Sequence, residues 1–235
     1  EDYADEWLTK AMFHYRWSFA PDVAKAAALL PRWARTELAD ERVRPLSEAF
    51  AARQIGRLGV VGSNATTAPV IEESYQRLLR LLDGRLAEAR FVWGGRPGAA
   101  DFALYGQLTQ LAGFDPTPSA LALAIAPRVV AWTHVVDDLS GLEPADGDWL
   151  AGDALPDSLR ALLGEVGRVY APFLLANAET LARGAARVEC TIDGRPWVQA
   201  PFPYQAKCLA GLREAHASLD ASARARVDSA HDGTA

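Results

Sequence analysis

The residues of this chain with the most chemically versatile side chains recur near its beginning, at spacings of three, four and three positions. They are Trp7, Lys10, His14 and Trp17, called here the mixed face. These spacings place all four side chains on one side of a helix. Because two indole rings, an ammonium and an imidazole make a poor core, we expect the mixed face to be a cleft wall. The alternative is that both tryptophans pack against another helix while Lys10 and His14 face water.

Other reactive residue types occur without the partners that catalysis or metal binding requires. No HExxH motif or paired His–carboxylate arrangement accompanies His14, so no metal site is expected. His134 precedes two aspartates at 137–138 on a predicted helix, and a surface ion pair is favoured because no nucleophile lies nearby. Cys190 and Cys208 form no redox motif, and Cys208 is interpreted as a packed thiol.

Two long amphipathic helices are predicted before the middle of the chain. The mixed face requires a helix over residues 2–19, and the same helix carries a second, apolar stripe. That stripe is predicted to be a core face made of Leu8, Met12, Tyr15 and Phe19. A second long helix over residues 69–90 has one clean apolar face and is predicted to pack on the helix that follows it.

That following helix is the most apolar one in the chain. It begins after Pro97 and has no wide polar side, which is typical of a helix in the middle of a bundle, so Phe102 and Tyr105 are predicted to be buried. Gly106 is expected to let a neighbouring helix approach closely. Asp101, at the third helical position, is predicted to accept N–H bonds in the first turn, with Gly98 as the N-cap residue.

The segment from Gly95 to Leu108 reads G-R-P-x-x-A-D-F-x-L-Y-G-x-L. It resembles the N-capping motif and central helix of the glutathione transferase C-terminal domain. In that family the cap residue is usually Ser or Thr and is followed three positions later by Asp; here Asp101 matches and Gly98 does not. The helix start at 126–132 fits the same pattern, and the resemblance covers roughly residues 1–140.

Several expectations follow from this resemblance alone. It implies that the mixed face forms one wall of the site for a small electrophilic substrate. It also implies that glutathione is the co-substrate and that the protein is a homodimer. It also implies a thioredoxin-like domain that precedes this point and forms the glutathione thiolate. Nothing in the chain resembles that domain, so we expect that it was removed; a stand-alone relative is the alternative. We therefore expect the chain alone to be inactive in glutathione conjugation.

The predicted architecture is mainly α-helical. Residues 1–140 are expected to form a helical bundle like the glutathione transferase C-terminal domain, and the Gly/Pro/Asp-rich residues 141–156 a linker. Residues 157–235 are expected to form a helical extension packed on the bundle, with a β-hairpin at about 187–199 around an Asp-Gly turn. Pro172 is predicted to kink the first helix of this extension.

Composition excludes some classes of partner. The net charge of −6 and the pI near 5.3 argue against nucleic acid as the main partner. No apolar run approaches the roughly 18 residues of a membrane span, and no signal peptide opens the sequence. The expected location of a chain with two unpaired cysteines is the reducing cytoplasm.

Two functions from different classes stay open at this point. The first is an enzyme part, which holds an apolar electrophile next to the glutathione bound by the thioredoxin-like domain. The second is a non-catalytic binding or assembly module, which the acidic surface and the additional hairpin would suit. An unrelated helical ligand carrier is a third and weaker alternative.

Overall fold

The computed structural model describes residues 1–150 and 155–231. Part of the predicted linker, residues 151–154, and the end of the predicted extension, residues 232–235, lie outside the described residues. The helices are α1 (Thr9–Ser18), α2 (Ala20–Trp33), α3 (Asp40–Ile55), α4 (Ala68–Glu88), α5 (Ala99–Leu108), α6 (Pro116–Ile125), α7 (Pro127–Asp137), α8 (Asp157–Glu165), α9 (Ala171–Ala182), α10 (Pro203–Ser218) and α11 (Ala221–His231). The mainly α-helical fold class is confirmed.

The first predicted helix is present as a π-helical turn, Ala4–Leu8, that continues directly into α1. The helix ends at Phe19, whose backbone is extended. Leu8 and Tyr15 of the predicted core stripe are fully buried, and Met12 and Phe19 pack against the same core. The periodicity of this segment therefore predicted both its helix and its core side.

The element at the centre of the bundle is α4 rather than α5. Helix α4 contacts α1, α6, α7 and α8, and its predicted apolar face is buried at Ile71, Tyr75, Leu78 and Leu82. Tyr75 also donates a hydrogen bond from its hydroxyl to the carbonyl of Leu111 at 3.3 Å. Because α4 is enclosed on several sides, it occupies the central position that the sequence analysis predicted for α5.

The prediction of a fully enclosed α5 is wrong. Phe102 is 50% exposed, and Tyr105 is only partly buried. Gly106 is exposed, and a Cβ atom at this position would meet no atom within 4 Å, so no helix approaches it closely. A helix that is apolar on every side has no periodic signal to mark which side meets solvent, and here one apolar side stays uncovered.

The extension packs on the bundle through one shared hydrophobic core. Leu159 of α8 and Trp197 of the hairpin belong to the same buried cluster as Leu8 and Leu82. Helix α8 passes through a π-helical segment, Val166–Tyr170, into α9, so the irregularity lies just before the predicted proline kink. The proposed domain boundaries themselves stay a prediction.

The predicted hairpin is confirmed as two antiparallel strands, β1 (Val188–Ile192) and β2 (Arg195–Gln199). Its turn consists of Asp193 and Gly194 with φ angles of 52° and 71°. Two positive φ angles are what a two-residue type I′ turn requires, and Asp-Gly provides them at low cost. An isolated hairpin is marginally stable in water, so its position depends on the helices beneath it.

In the part of the chain that the structure describes, no single helix has the length and apolar character of a membrane span; by length and composition only, the pair α6 and α7, bent by 113°, passes the same test.

Candidate functional site

The structure places the whole mixed face in the interior. The exposed fractions are 1% for Trp7, 2% for Lys10, 4% for His14 and 3% for Trp17. The expectation of an open cleft wall is therefore wrong for the described chain, and so is the alternative in which Lys10 and His14 face water. Both fail because segments distant in sequence cover this side of α1 and supply polar partners. A role of the four residues in substrate binding stays a prediction.

Lys10 is the most unusual of these residues, because it is buried and has no carboxylate partner within ion-pair distance in the described chain. Its Nζ atom donates to the side-chain Oε1 of Gln199 at 3.2 Å and to the carbonyl of Val61 at 3.3 Å. The same atom lies 4.2 Å from the ring centroid of Phe173. Burial lowers the pKa of Lys10 from 10.5 to about 7, and the charge of Glu6 partly opposes this. Near neutral pH, part of the population therefore has a neutral amine here.

Gln199 and Trp197 bring the hairpin onto the mixed face. They lie two positions apart on β2 and so point to the same side of the strand. Oε1 of Gln199 accepts a hydrogen bond from Nε1 of Trp197 at 3.2 Å as well as the one from Lys10. The Trp197 ring lies 5.2 Å from that of Trp7, and Nε1 of Trp7 donates to Oγ of Ser74 at 3.0 Å. Every indole N–H of this pair is thus satisfied inside the core.

Gly62 permits this arrangement. Its φ angle is +79°, and a Cβ atom here would lie 2.2 Å from Oε1 of Gln199 and 3.0 Å from the Trp197 ring. A side chain at this position would have to displace the end of the Gln199 side chain, and the positive φ angle also favours glycine.

His14 connects a serine and a glutamate in one hydrogen-bonded chain. Its Nδ1 atom lies 2.8 Å from Oγ of Ser63, and its Nε2 atom lies 3.1 Å from Oε1 of Glu72. Oγ of Ser18 is also 3.3 Å from Nδ1. Because the carboxylate can only accept, Nε2 carries the proton and Nδ1 accepts from the serine hydroxyl. Burial lowers the pKa of His14, against the raising effect of the Glu72 hydrogen bond and charge.

A serine beside an oriented imidazole has the residue types of a nucleophile and its general base. However, Ser63 is only 5% exposed. Its backbone N–H donates to the carbonyl of Leu58 at 3.0 Å, so this amide is already engaged and does not point at an open site. In the folded chain, a substrate carbonyl has no approach to this hydroxyl. The arrangement is a buried hydrogen-bond chain that fixes the tautomer of His14.

Trp17 is covered by a different part of the molecule. It packs with Ala26 of α2 and Ala51 of α3 in a small second core, and its ring lies 5.7 Å from that of Phe50. The mixed face is therefore not one surface in three dimensions. The hairpin covers its first half, and the α2–α3 pair covers its last residue.

The predicted cap of α5 is confirmed. Asp101 is fully buried, and its Oδ2 atom accepts the backbone N–H of Gly98 at 2.9 Å while Oδ1 accepts that of Val92 at 2.8 Å. A Cβ atom on Gly98 would lie 3.3 Å from the ring of Trp149, so a serine or threonine cap would require the ring to shift by a few tenths of an ångström. One carboxylate thus fixes both the start of α5 and the loop before it.

One buried ion pair was not predicted from the sequence. Nε and Nη2 of Arg16 donate to the fully buried carboxylate of Asp115 at 2.9–3.1 Å, and Nη2 also donates to Oε1 of Gln110 at 2.7 Å. The pair joins α1 to the start of α6. Its arginine lies outside the mixed face and has no spacing signal of its own, so only the fold brings the two groups together.

Neither cysteine of the described chain has the environment of a reactive thiolate. Burial raises the pKa of Cys190. Burial, followed by the charges of Asp2 and Glu6, raises the pKa of Cys208 to about 11. Within residues 1–150 and 155–231, no group of three or more His, Cys, Asp or Glu side chains is arranged to hold a metal ion.

Comparison with known proteins gives one match. Residues 44–136 match the family model described as glutathione S-transferase, C-terminal domain. The chain contains a glutathione S-transferase C-terminal domain. This domain spans α4 to α6, most of α3 and nearly all of α7, and it includes the Asp101 cap. The mixed face and the hairpin lie outside the matched residues. No curated protein and no solved structure matches the chain.

The mixed face offers no accessible cation for glutathione. A tripeptide with two carboxylates and a thiol needs accessible cations and a donor that stabilises the thiolate. The two basic side chains of the mixed face, Lys10 and His14, are buried and engaged with internal partners. No chemical step involving glutathione can therefore be assigned to Lys10 or His14.

Proposed function

We propose that this chain is the helical, co-substrate-side part of a glutathione transferase-like protein. In this proposal, a thioredoxin-like domain binds glutathione, and the two domains together conjugate or reduce a small electrophile. The observation that carries the proposal is the match of residues 44–136 to the glutathione S-transferase C-terminal domain.

The uncovered side of α5 supports a neighbouring domain. Phe102 is exposed on a helix whose sequence is apolar on every side. An apolar helix side that faces solvent is more typical of a surface that a partner covers than of a free surface.

The test compares the purified 235-residue chain with the complete product of its gene. With glutathione and 1-chloro-2,4-dinitrobenzene as substrates, the chain alone should show no conjugation above the uncatalysed rate. The complete product should contain a thioredoxin-like domain and show turnover. Conjugation by the chain alone, or a complete product without such a domain, would contradict the proposal.

The second candidate is a non-catalytic binding or assembly module, and one observation favours it specifically. The mixed face is closed by the chain's own hairpin, so the side of α1 expected to meet a substrate is occupied by Trp197 and Gln199. Lack of turnover in a complete product that does bind glutathione would favour this candidate. A homodimer and a cytoplasmic location are parts of the same proposal. Sedimentation of the complete product tests the dimer, and fractionation of the source cells tests the location.

A further inference from the structure

Two segments that are far apart in sequence together cover Lys10. They are the loop at residues 58–64 and the hairpin at residues 188–199, called here the cover. Nζ of Lys10 donates to one acceptor in each of them, the carbonyl of Val61 at 3.3 Å and the side chain of Gln199 at 3.2 Å. A single buried amine therefore links α1 to both parts of the cover.

The two parts of the cover are also bonded to each other. Nδ2 of Asn64 donates to the carbonyl of Val198 at 2.9 Å. The side chains of Trp197 and Gln199 lie against the Cα atom of Gly62, where a Cβ atom would meet them. Because the loop and β2 share these contacts, we expect them to leave α1 together.

The connection into the hairpin can accommodate such a movement. Residues 182–187, which lead from α9 into β1, are all exposed. Within them Gly184 has a φ angle of +64°, and a Cβ atom there would meet no atom within 4 Å. The buried side chains of Val188, Ile192 and Trp197 hold the hairpin in place. The opened state is therefore a minor population, of the kind that amide hydrogen exchange detects.

Protonation of Lys10 opposes closure of the cover. The side chain is buried, and the groups that the loop, β2 and α9 place around it are a carbonyl, an amide and the Phe173 ring, all of them neutral. The charged group that acts on Lys10 is Glu6, one turn earlier in the same helix. Burial lowers the pKa of Lys10 to about 7 against that charge, whereas an amine in water has a pKa near 10.5. His14, one turn later, has a pKa lowered from 6.5 by burial, so it stays neutral above pH 7.

We propose that the cover is a proton-sensitive lid, which leaves the mixed face more often when Lys10 takes up a proton. In the opened state Lys10 meets water, and the Trp7 ring becomes accessible beside it. This is the cleft wall that the sequence predicts and the closed structure hides. The lid itself does not depend on the function proposed above, but a role of the opened face in substrate binding rests on it.

The experiment is amide hydrogen exchange of the purified chain, followed by mass spectrometry at pH 9 and pH 7 and corrected for the intrinsic pH dependence of exchange. The opened population should rise about fiftyfold from pH 9 to pH 7, as one amine with a pKa of 10.5 in water and about 7 when buried requires. A released hairpin is marginally stable, so its amides exchange as well. Protection of residues 58–64 and 188–199 should fall by this common factor.

Comparison with α4 separates the lid from unfolding of the whole chain. At pH 7 the protection of the cover should be at least about tenfold lower than that of residues 78–82 of α4, because the lid opens while α4 stays folded. Equal protection of the cover and α4, or cover protection that is the same at pH 7 and pH 9, would overturn the proposal. Since the measurement involves no glutathione, either result leaves the transferase proposal unaffected.

Two variants test whether Lys10 is the group that responds. Lys10→Met should give the cover the same protection at pH 7 and pH 9. Glu6→Gln removes the charge that raises the pKa of Lys10, so the fall in protection should continue further below pH 7 than in the wild type. Asp5→Asn, at an exposed position on the same turn, is the matched control and should behave as the wild type. A fiftyfold change that persists in Lys10→Met, or identical profiles for Glu6→Gln and Asp5→Asn, would contradict the assignment.

Discussion

The Nζ atom of Lys10 lies 3.2 Å from Oε1 of Gln199, a residue 189 positions further along the chain. This contact joins the first helix to the second strand of the hairpin. It places an ammonium group in an interior lined by Phe173 and Trp197, with oxygen atoms of an amide side chain and a backbone carbonyl as its hydrogen-bond acceptors. Both hydrogen bonds favour the charged amine, while desolvation favours the neutral one. Desolvation is the larger of the two effects, and the lowered pKa of Lys10 reflects it.

The lowered pKa of Lys10 predicts how stability changes with pH. In the unfolded chain this amine stays protonated up to about pH 10.5, whereas in the folded chain it stays protonated only up to about pH 7. Between these values the unfolded state binds more protons, so the free energy of unfolding rises with pH, by up to about 5 kcal/mol from this group. Below pH 7 this contribution is absent.

Lys10→Met should therefore be more stable than the wild type at pH 7, and the difference should shrink towards pH 10. Urea unfolding followed by circular dichroism at pH 7, 8, 9 and 10 measures the free energies of unfolding of the two proteins and how their difference changes with pH. Lys207→Met is the matched control, since Lys207 is exposed on α10 and should leave the pH dependence unchanged. Parallel curves for wild type and Lys10→Met would mean that Lys10 is not desolvated as described.

The closure of the loop against the hairpin predicts an unequal effect of two glycine substitutions. Gly62 and Gly141 have nearly the same φ angle, +79° and +78°, but only Gly62 has atoms within 4 Å of a Cβ position. Gly141→Ala should destabilise by about 1 kcal/mol through backbone strain alone. Gly62→Ala must also displace the Gln199 side chain and break its bond with Lys10, which should cost at least about 1 kcal/mol more. Equal unfolding free energies for the two variants would contradict this account.

The parts of the fold that were predictable are those specified within a few residues. The Asp193-Gly194 dipeptide fixes the hairpin turn, because two adjacent positive φ angles select such residues. Asp101 reaches Gly98 and Val92, three and nine positions away, so its capping role could be derived from local sequence. Local chemistry of this kind needs no knowledge of the tertiary structure.

The features that the sequence did not predict depend on distant segments. The four residues of the mixed face have helical spacing, but nothing in α1 indicates that Trp197 and Gln199 cover them. The prediction that α5 is fully enclosed was wrong for a different reason. An all-apolar helix gives no periodic signal, so the exposure of Phe102 follows from the arrangement of the surrounding helices and not from its own pattern.

Asp101 predicts a stability effect with an internal control. Asp101→Ala removes the acceptor of two buried N–H groups and should cost roughly 2–4 kcal/mol. The side chain of Asp148 likewise accepts the backbone N–H of the residue three positions earlier, Ala145, at 2.8 Å, but this hydrogen bond lies in an exposed turn. Asp148→Ala should cost about 0.5–1 kcal/mol. Chemical unfolding of both variants provides the comparison, and a loss at Asp148 as large as that at Asp101 would contradict the buried-cap explanation.

The pairing of His14 with Glu72 predicts a directional pKa change. The Glu72 hydrogen bond and charge raise the pKa of His14 against the lowering effect of burial. Glu72→Gln removes the charge, so the pKa of His14 should fall further below 6.5, as followed by NMR titration of the imidazole protons. Because a folded-state pKa below that of the unfolded chain makes protonation unfavourable, the variant should also lose more stability than the wild type as the pH falls below 6.5. Glu73→Gln, at the neighbouring position that pairs with Arg195, is the control and should leave the pKa of His14 unchanged. A rise in the pKa of His14 in Glu72→Gln would show that the carboxylate does not accept from Nε2.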